Sequence, residues 1–184
     1  MSRRIAFLTA AAFGALALTS TMLAPVSAQE KTVMVGGAAM FPSRNIIQNA
    51  VNSKDHTTLV AAVKAAGLVD TLEGKGPFTV FAPTNAAFGK LPAGTVDTLV
   101  KPENKATLTK ILTYHVVPGK IEASDLPDGK KLKTVEGEEL TVKKADGRVM
   151  IVDAKGGTAT VTIPNVNQSN GVIHVIDTVL MPAS

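Results

Sequence analysis

Apolar positions recur at helical spacing in the first half of the chain and alternate with polar ones in the second. Leu59, Val63 and Ala66 share one helical face, Asp55 or Thr57 can accept the first free amides, and Gly67 suits a left-handed stop. A helix is predicted near 57–66. Phe78-Thr79-Val80-Phe81 follows Gly76-Pro77 as a strand, and Pro83-Thr84-Asn85 ends it while offering a cap to a short helix. A further helix begins where Pro102 can take the first helical position, with Leu108, Ile111 and Leu112 as its stripe, and it stops near Thr113 or Tyr114. Tyr114-His115-Val116-Val117 then reads as a strand closed by Pro118-Gly119. From Lys131 the period becomes two. Leu140 and Val142 alternate with polar neighbours, Asp146-Gly147 supplies a two-residue turn, and 149–152 returns. A second hairpin has arms 159–163 and 172–180, joined by a longer loop that contains Asn170-Gly171. Helices first and strands later make an α+β domain rather than alternating units.

Two stretches lie outside this pattern. Residues 1–28 carry Arg3 and Arg4, an apolar run from Ile5 to Leu18, and the small residues Val26 and Ala28, the layout of an export signal cut after Ala28. Thr19-Ser20-Thr21 breaks the run too early for a membrane anchor, which needs about 20 apolar residues. The arginine pair fits the twin-arginine pattern imperfectly, so the general secretory route is expected, with a mature product that is secreted or periplasmic and not inserted in a membrane. Residues 29–52 have no sustained period and read as a linker or N-terminal arm, with Met40-Phe41-Pro42 docking on the domain.

Setting the signal aside leaves roughly 150 to 160 residues, one domain with a core large enough to need no staples. The absence of cysteine removes disulfides, thiolate metal sites and cysteine nucleophiles together. Without Arg3 and Arg4 the excess of basic over acidic residues falls from four to two, with no lysine cluster, one tyrosine and no tryptophan. That leaves neither a charged footprint nor a stacking platform for nucleic acid.

Three stretches carry a family pattern: FTVFAPTNAAF at 78–88, the Tyr-His pair within ILTYHVVPG at 111–119, and GVIHVIDTVLMP at 171–182. Together and in this order they resemble the two conserved segments and the central Tyr-His motif of the fasciclin (FAS1) domain, over about residues 45–182. The chain divides accordingly into a signal at 1–28, an arm at 29–44 and a domain at 45–182. The resemblance implies a β-wedge of about seven strands flanked by helices, and a secreted, non-catalytic module for adhesion or protein contact. Its partner would be an extracellular or envelope protein or a matrix component. In animal members the Tyr-His motif is associated with integrin-type recognition, which makes Tyr114 and His115 the candidate contact residues. Their place just after an amphipathic helix favours a packing role instead, with the tyrosine ring in the core, each polar atom hydrogen-bonded, and His115, like His174, a structural histidine. The motif residues also have a purely structural reading. Phe78, Phe81 and Phe88 belong to the core, Pro83 stops the strand, and Thr84 or Asn85 caps the next helix. In a regular last strand His174 and Asp177 face opposite ways and form no catalytic pair.

Other chemistry finds little purchase. His56, His115 and His174 show no metal-ligand spacing, and His56 reads as a solvated residue at a helix start. No serine sits in a GxSxG turn, and Gly74-Lys75-Gly76 lacks phosphate-loop spacing and reads as a turn. Glu136, Glu138 and Glu139 are the one acidic cluster, expected to be solvated at a strand entry. No cofactor and no metal are expected. The competing functional class is a periplasmic carrier that holds a small ligand between the helices and the wedge.

Overall fold

The structure is a computed structural model and describes residues 31–183; the export segment and its cleavage point lie outside the described residues. Two short strands, β1 (Val33–Val35) and β2 (Ala38–Met40), lead into helices α1 (Ile46–Ala50), α2 (Thr57–Ala66) and α3 (Val69–Glu73). Strand β3 (Phe78–Pro83) is followed by α4 (Asn85–Gly89), α5 (Thr95–Leu99) and α6 (Lys105–Tyr114). The remainder is β: β4 (Val116–Pro118), β5 (Lys131–Lys133), β6 (Glu139–Ala145), β7 (Arg148–Val152), β8 (Thr158–Gln168) and β9 (Gly171–Ile176).

Seven strands form one sheet in the order β4-β3-β9-β8-β7-β6-β5. The Val135 N–H donates to the Val116 carbonyl at 2.8 Å, which brings the two ends together and nearly closes the sheet. Strand β8 makes the bend. Its first residues pair with β7, the rest pair with β9, and register shifts near Ile163 mark the change of partner. Asn165 there adopts φ 56°, a left-handed conformation that asparagine tolerates better than most residues.

Strands β3 and β9 run parallel through the middle and are buried on both faces. Val80, Ala82, Ile173 and Val175 face the helices, whereas Phe81 and Ile176 face the interior of the wedge. This is why the last strand reads as continuously apolar. Leu140, Val142 and Ile151 close the wedge interior, each contributing about 1.5 to 3 kcal/mol by its burial.

Several expectations need correction. From residue 31 onward the stretch expected as a linker or N-terminal arm without a sustained period is structured: Gly36 and Gly37, at φ 57° and 76°, make a two-residue turn between β1 and β2, and Val35, Met40, Ile46 and Ile47 are buried. Tyr114 and His115 do not begin a strand, because the helix runs through Tyr114 and His115 caps its end. The second hairpin has no long loop. Strand β8 continues to Gln168, and only Ser169 and Asn170 separate it from β9, with Pro164 tolerated at the bulged stretch. Capping is also redistributed. Thr84 accepts from the Ala87 N–H at 3.2 Å, but Asn85 reaches across to α2, accepting from the Thr58 N–H at 3.0 Å and donating to the Lys54 carbonyl at 2.8 Å.

Candidate functional site

Tyr114 stands at the end of α6 because the helical stripe of Leu108, Ile111 and Leu112 turns it toward the wedge. Its ring is 0 % exposed. The hydroxyl accepts from the Ala154 N–H at 2.9 Å and donates to the Glu139 carbonyl at 3.4 Å, and burial raises its pKa. His115 is 2 % exposed. Its Nδ1 lies 2.8 Å from the Ile111 carbonyl and therefore donates, which leaves Nε2 to accept from the Leu180 N–H at 3.0 Å. One imidazole thus ties the end of α6 to the segment after β9. Burial lowers its pKa to about 4, so it is neutral at physiological pH. The pair proposed from the sequence as a contact site has no surface to offer a partner.

His174 is equally committed. It stacks on Phe81, its Nε2 donates to the Ile121 carbonyl at 2.8 Å, and its Nδ1 accepts from the Asn165 N–H at 3.3 Å. Thr79 and Asn165 extend this network. The Thr79 hydroxyl donates to the Gly119 carbonyl and accepts from the Ile121 N–H, while the Asn165 side chain accepts from the Ala123 N–H. These three side chains pin the 119–123 connection across the wedge through four hydrogen bonds. Asp177 lies at the rim instead, accepting from the Thr160 N–H at 2.8 Å and facing Lys90 at 3.7 Å. His174 and Asp177 are not brought together.

His56 is not solvated: it is 3 % exposed beneath the N-terminal hairpin, with Nδ1 2.9 Å from the Ser53 hydroxyl. Its pKa is lowered by burial, with the Ala82 backbone and Asp55 pulling the other way. The glutamates are spent separately. Glu136 accepts from the Glu138 N–H and faces Lys110, Glu138 accepts from the Ala183 N–H, and Glu139 pairs with Lys131. No three carboxylate or imidazole groups among the described residues converge as a metal site. Phe81 and Phe88 are core residues, Phe78 is half-buried at the strand start, and Pro83 pairs with Ile176 at its end.

Sequence reasoning missed Asn170. Its side chain accepts from the Ile46 N–H at 3.0 Å and donates to the Leu72 and Gly74 carbonyls, fastening the arm to the domain. The available signal is the neighbouring Gly171: a Cβ there would collide with the Phe78 carbonyl, so the backbones of β3 and β9 approach closely at this point.

Two concavities stand out among the described residues. A cleft of about 910 Å³ opens at the mouth of the wedge, between the tip of the β6–β7 hairpin and the 123–124 turn. Val149 and Val161 floor it, and Lys144 and Arg148 are exposed at its rim. A much smaller apolar cavity lies between the helices and β3.

The sequence pattern of the Fasciclin domain matches residues 54–182. The chain belongs to the fasciclin family. Residues 31–53 precede the matched fasciclin region yet pack on the same core through Val35, Met40, Ile46 and Ile47. Among relatives, Protein sll1483 of Synechocystis is 49 % identical over 179 residues, covering 97 % of this chain and 96 % of its own. Immunogenic protein MPB70 of Mycobacterium bovis is 41 % identical over 138 residues, 72 % of this chain and 66 % of the relative. Cell surface glycolipoprotein MPB83 of the same species is 41 % identical over 153 residues, 80 % of this chain and 64 % of the relative. A FAS1 domain pair from the insect cell adhesion molecule Fasciclin I shares the fold at TM-score 0.68 and 21 % identity, over 77 % of this chain and 52 % of that one. No helix among the described residues is long and apolar enough to cross a membrane.

Proposed function

We propose that this fasciclin domain is a secreted or periplasmic recognition module that works by protein contact and performs no catalysis. The observation that carries the proposal is the inward commitment of the motif side chains. Tyr114, His115 and His174 are buried, and each of their polar atoms meets a backbone group, so none is free to act as base, nucleophile or exposed contact. Recognition then falls to the exterior. The names of the mycobacterial relatives, an immunogenic protein and a cell surface glycolipoprotein, support a place outside the cell membrane.

The wedge mouth is the contact face this reading favours. Its valines give apolar area, and Lys144 and Arg148, against the one carboxylate of Asp177, leave the lining with a net basic character suited to an acidic stretch of an envelope or matrix protein. The test is retention of envelope and matrix proteins by the immobilised wild type against the Lys144→Glu, Arg148→Glu double variant, with thermal midpoints measured in parallel. Specific retention that is saturable, weakens with salt and is lost in the double variant at an unchanged midpoint is expected. Absence of any saturable partner for the wild type overturns the proposal. N-terminal sequencing of the exported protein is expected to begin at Gln29, and an intact Met1 in a membrane pellet would contradict the assigned location.

A further inference from the structure

The larger core is not completely filled. A cavity of about 40 Å³ remains between the helices and β3, walled by Val63, Val80, Leu112 and Ile173 and roofed by Val35 and Met40 of the N-terminal hairpin. Two histidines reach it. Both nitrogens of His115 are already bonded, but His56 is not fully satisfied: Ser53 takes Nδ1, and the buried Nε2 makes no well-formed hydrogen bond, although the Ala82 backbone acts on the ring. Leaving a buried polar atom without a partner is disfavoured, and native cores rarely keep one without something to meet it.

A lone water is a poor match. A buried water is held by about three polar partners, and this lining, His56 and the Ala82 backbone apart, is almost wholly hydrocarbon. A hydroxyl on an apolar body fits better. The hydroxyl can donate or accept, so it satisfies Nε2 in either imidazole tautomer while the hydrocarbon replaces missing packing.

We propose that this cavity is the closed form of a binding site for a small apolar alcohol or phenol, with His56 Nε2 as the polar anchor and the N-terminal arm as the lid. Cavities that admit a benzene ring measure about 150 Å³, so entry requires the roof to move outward. The roof is built for that. Its strands are three residues each, a two-stranded hairpin is marginal by itself, and Met40 supplies an unbranched, adaptable side chain. The hairpin itself has few polar ties, chiefly the Lys54 N–H to the Gly36 carbonyl at 3.2 Å and the exchange between Phe41 and the Asn49 side chain, whereas the segment after it is fastened by the Ser169 N–H to the Arg44 carbonyl at 2.9 Å and by Asn170 to the Ile46 N–H. The site is independent of the wedge mouth, and the Lys144 and Arg148 variant leaves it untouched.

The experiment titrates the protein with benzyl alcohol and with toluene, following methyl resonances of Ile47, Val63, Leu112 and Ile173 by NMR. Saturable shifts confined to these methyls are expected, with the alcohol bound about tenfold more tightly than toluene, the contribution of one net hydrogen bond. His56→Leu should keep toluene binding and erase the preference. Ala50→Val, which fills the cavity from α1, should abolish both while the thermal midpoint is held or raised. Should Ala50→Val fail to fold, His56→Leu decides the question. No saturable shift with either probe, the signature of a buried water alone, overturns the proposal, as does an alcohol preference that survives in His56→Leu.

Discussion

Lowering the pH should unfold this domain through its buried histidines, and His115 allows the effect to be worked out. Its pKa falls from 6.5 to about 4 in the folded protein because burial disfavours the imidazolium, while the Ile111 carbonyl and Asp153 offset only part of that. Above pH 6.5 both the folded and the unfolded chain carry a neutral ring, and the full stability is present. Between pH 6.5 and 4 the unfolded chain binds a proton that the folded one refuses, so stability falls by about 1.4 kcal/mol per pH unit, reaching about 2.5 kcal/mol at pH 4.5. Below pH 4 both states are protonated and the loss levels off. His56 and His174 shift in the same direction, so the whole protein falls more steeply than one histidine requires. His115→Gln isolates the single contribution. Glutamine can donate to Ile111 and accept from Leu180, but it does not titrate. In urea unfolding at pH 7.5, 6.5, 5.5 and 4.5, the stability advantage of wild type over His115→Gln should shrink by about 2.5 kcal/mol across the series. Parallel curves for the two proteins would refute the reasoning and put a solvated imidazole at this position.

Three further outcomes follow from the same geometry. Tyr114→Phe keeps the ring and loses the hydroxyl bonds to Ala154 and Glu139, which should cost about 0.5 to 1.5 kcal/mol in urea unfolding; binding lost at unchanged stability would restore the contact role. His174→Ala leaves a void beside Phe81 and strands the Ile121 carbonyl and Asn165 N–H, a loss of about 2 to 4 kcal/mol, and an unchanged urea midpoint would refute its place in the core. Gly171→Ala drives a Cβ into the Phe78 backbone where β3 meets β9, so a loss above about 3 kcal/mol and weakened amide protection in both strands are expected from hydrogen exchange.

What the sequence discloses is the local half of this fold. The helix over Thr57–Ala66, with Gly67 as its left-handed end at φ 72°, and the Asp146-Gly147 hairpin are fixed by neighbours in the chain and were read correctly. Errors occur where distant residues decide. The arm looks unstructured because its apolar positions are few and short, and only the core beneath them makes Val35 and Met40 worth burying. Strand β8 looks too polar past Ile163 to be a strand, yet β9 pairs with it to Gln168, and the inward Val166 is fully buried. Local capping leaves Thr84 and Asn85 as equal candidates in the sequence; Thr84 takes the cap, and the fold brings α2 within reach of Asn85.

The candidate site is legible only in part for a related reason. A tyrosine or histidine beside an apolar run reads equally as a packed residue or a contact when only the chain is visible, and the partners that occupy Tyr114, His115 and His174 lie far away in sequence. Leu180 lies 65 residues from His115, and Ile121 lies 53 from His174. A nearly closed sheet packed on helices must carry irregular connections through or against its core, and every backbone amide and carbonyl there needs a partner. Thr79, His115, Asn170 and His174 supply those partners, each bridging at least two backbone groups that no strand ladder could reach, and the Asn165 side chain meets the Ala123 N–H. Their chemistry is therefore consumed by architecture. His56 departs from this pattern, since one of its nitrogens is buried with no well-formed hydrogen bond, and the cavity it lines is the place to look for a ligand that this chain alone does not contain.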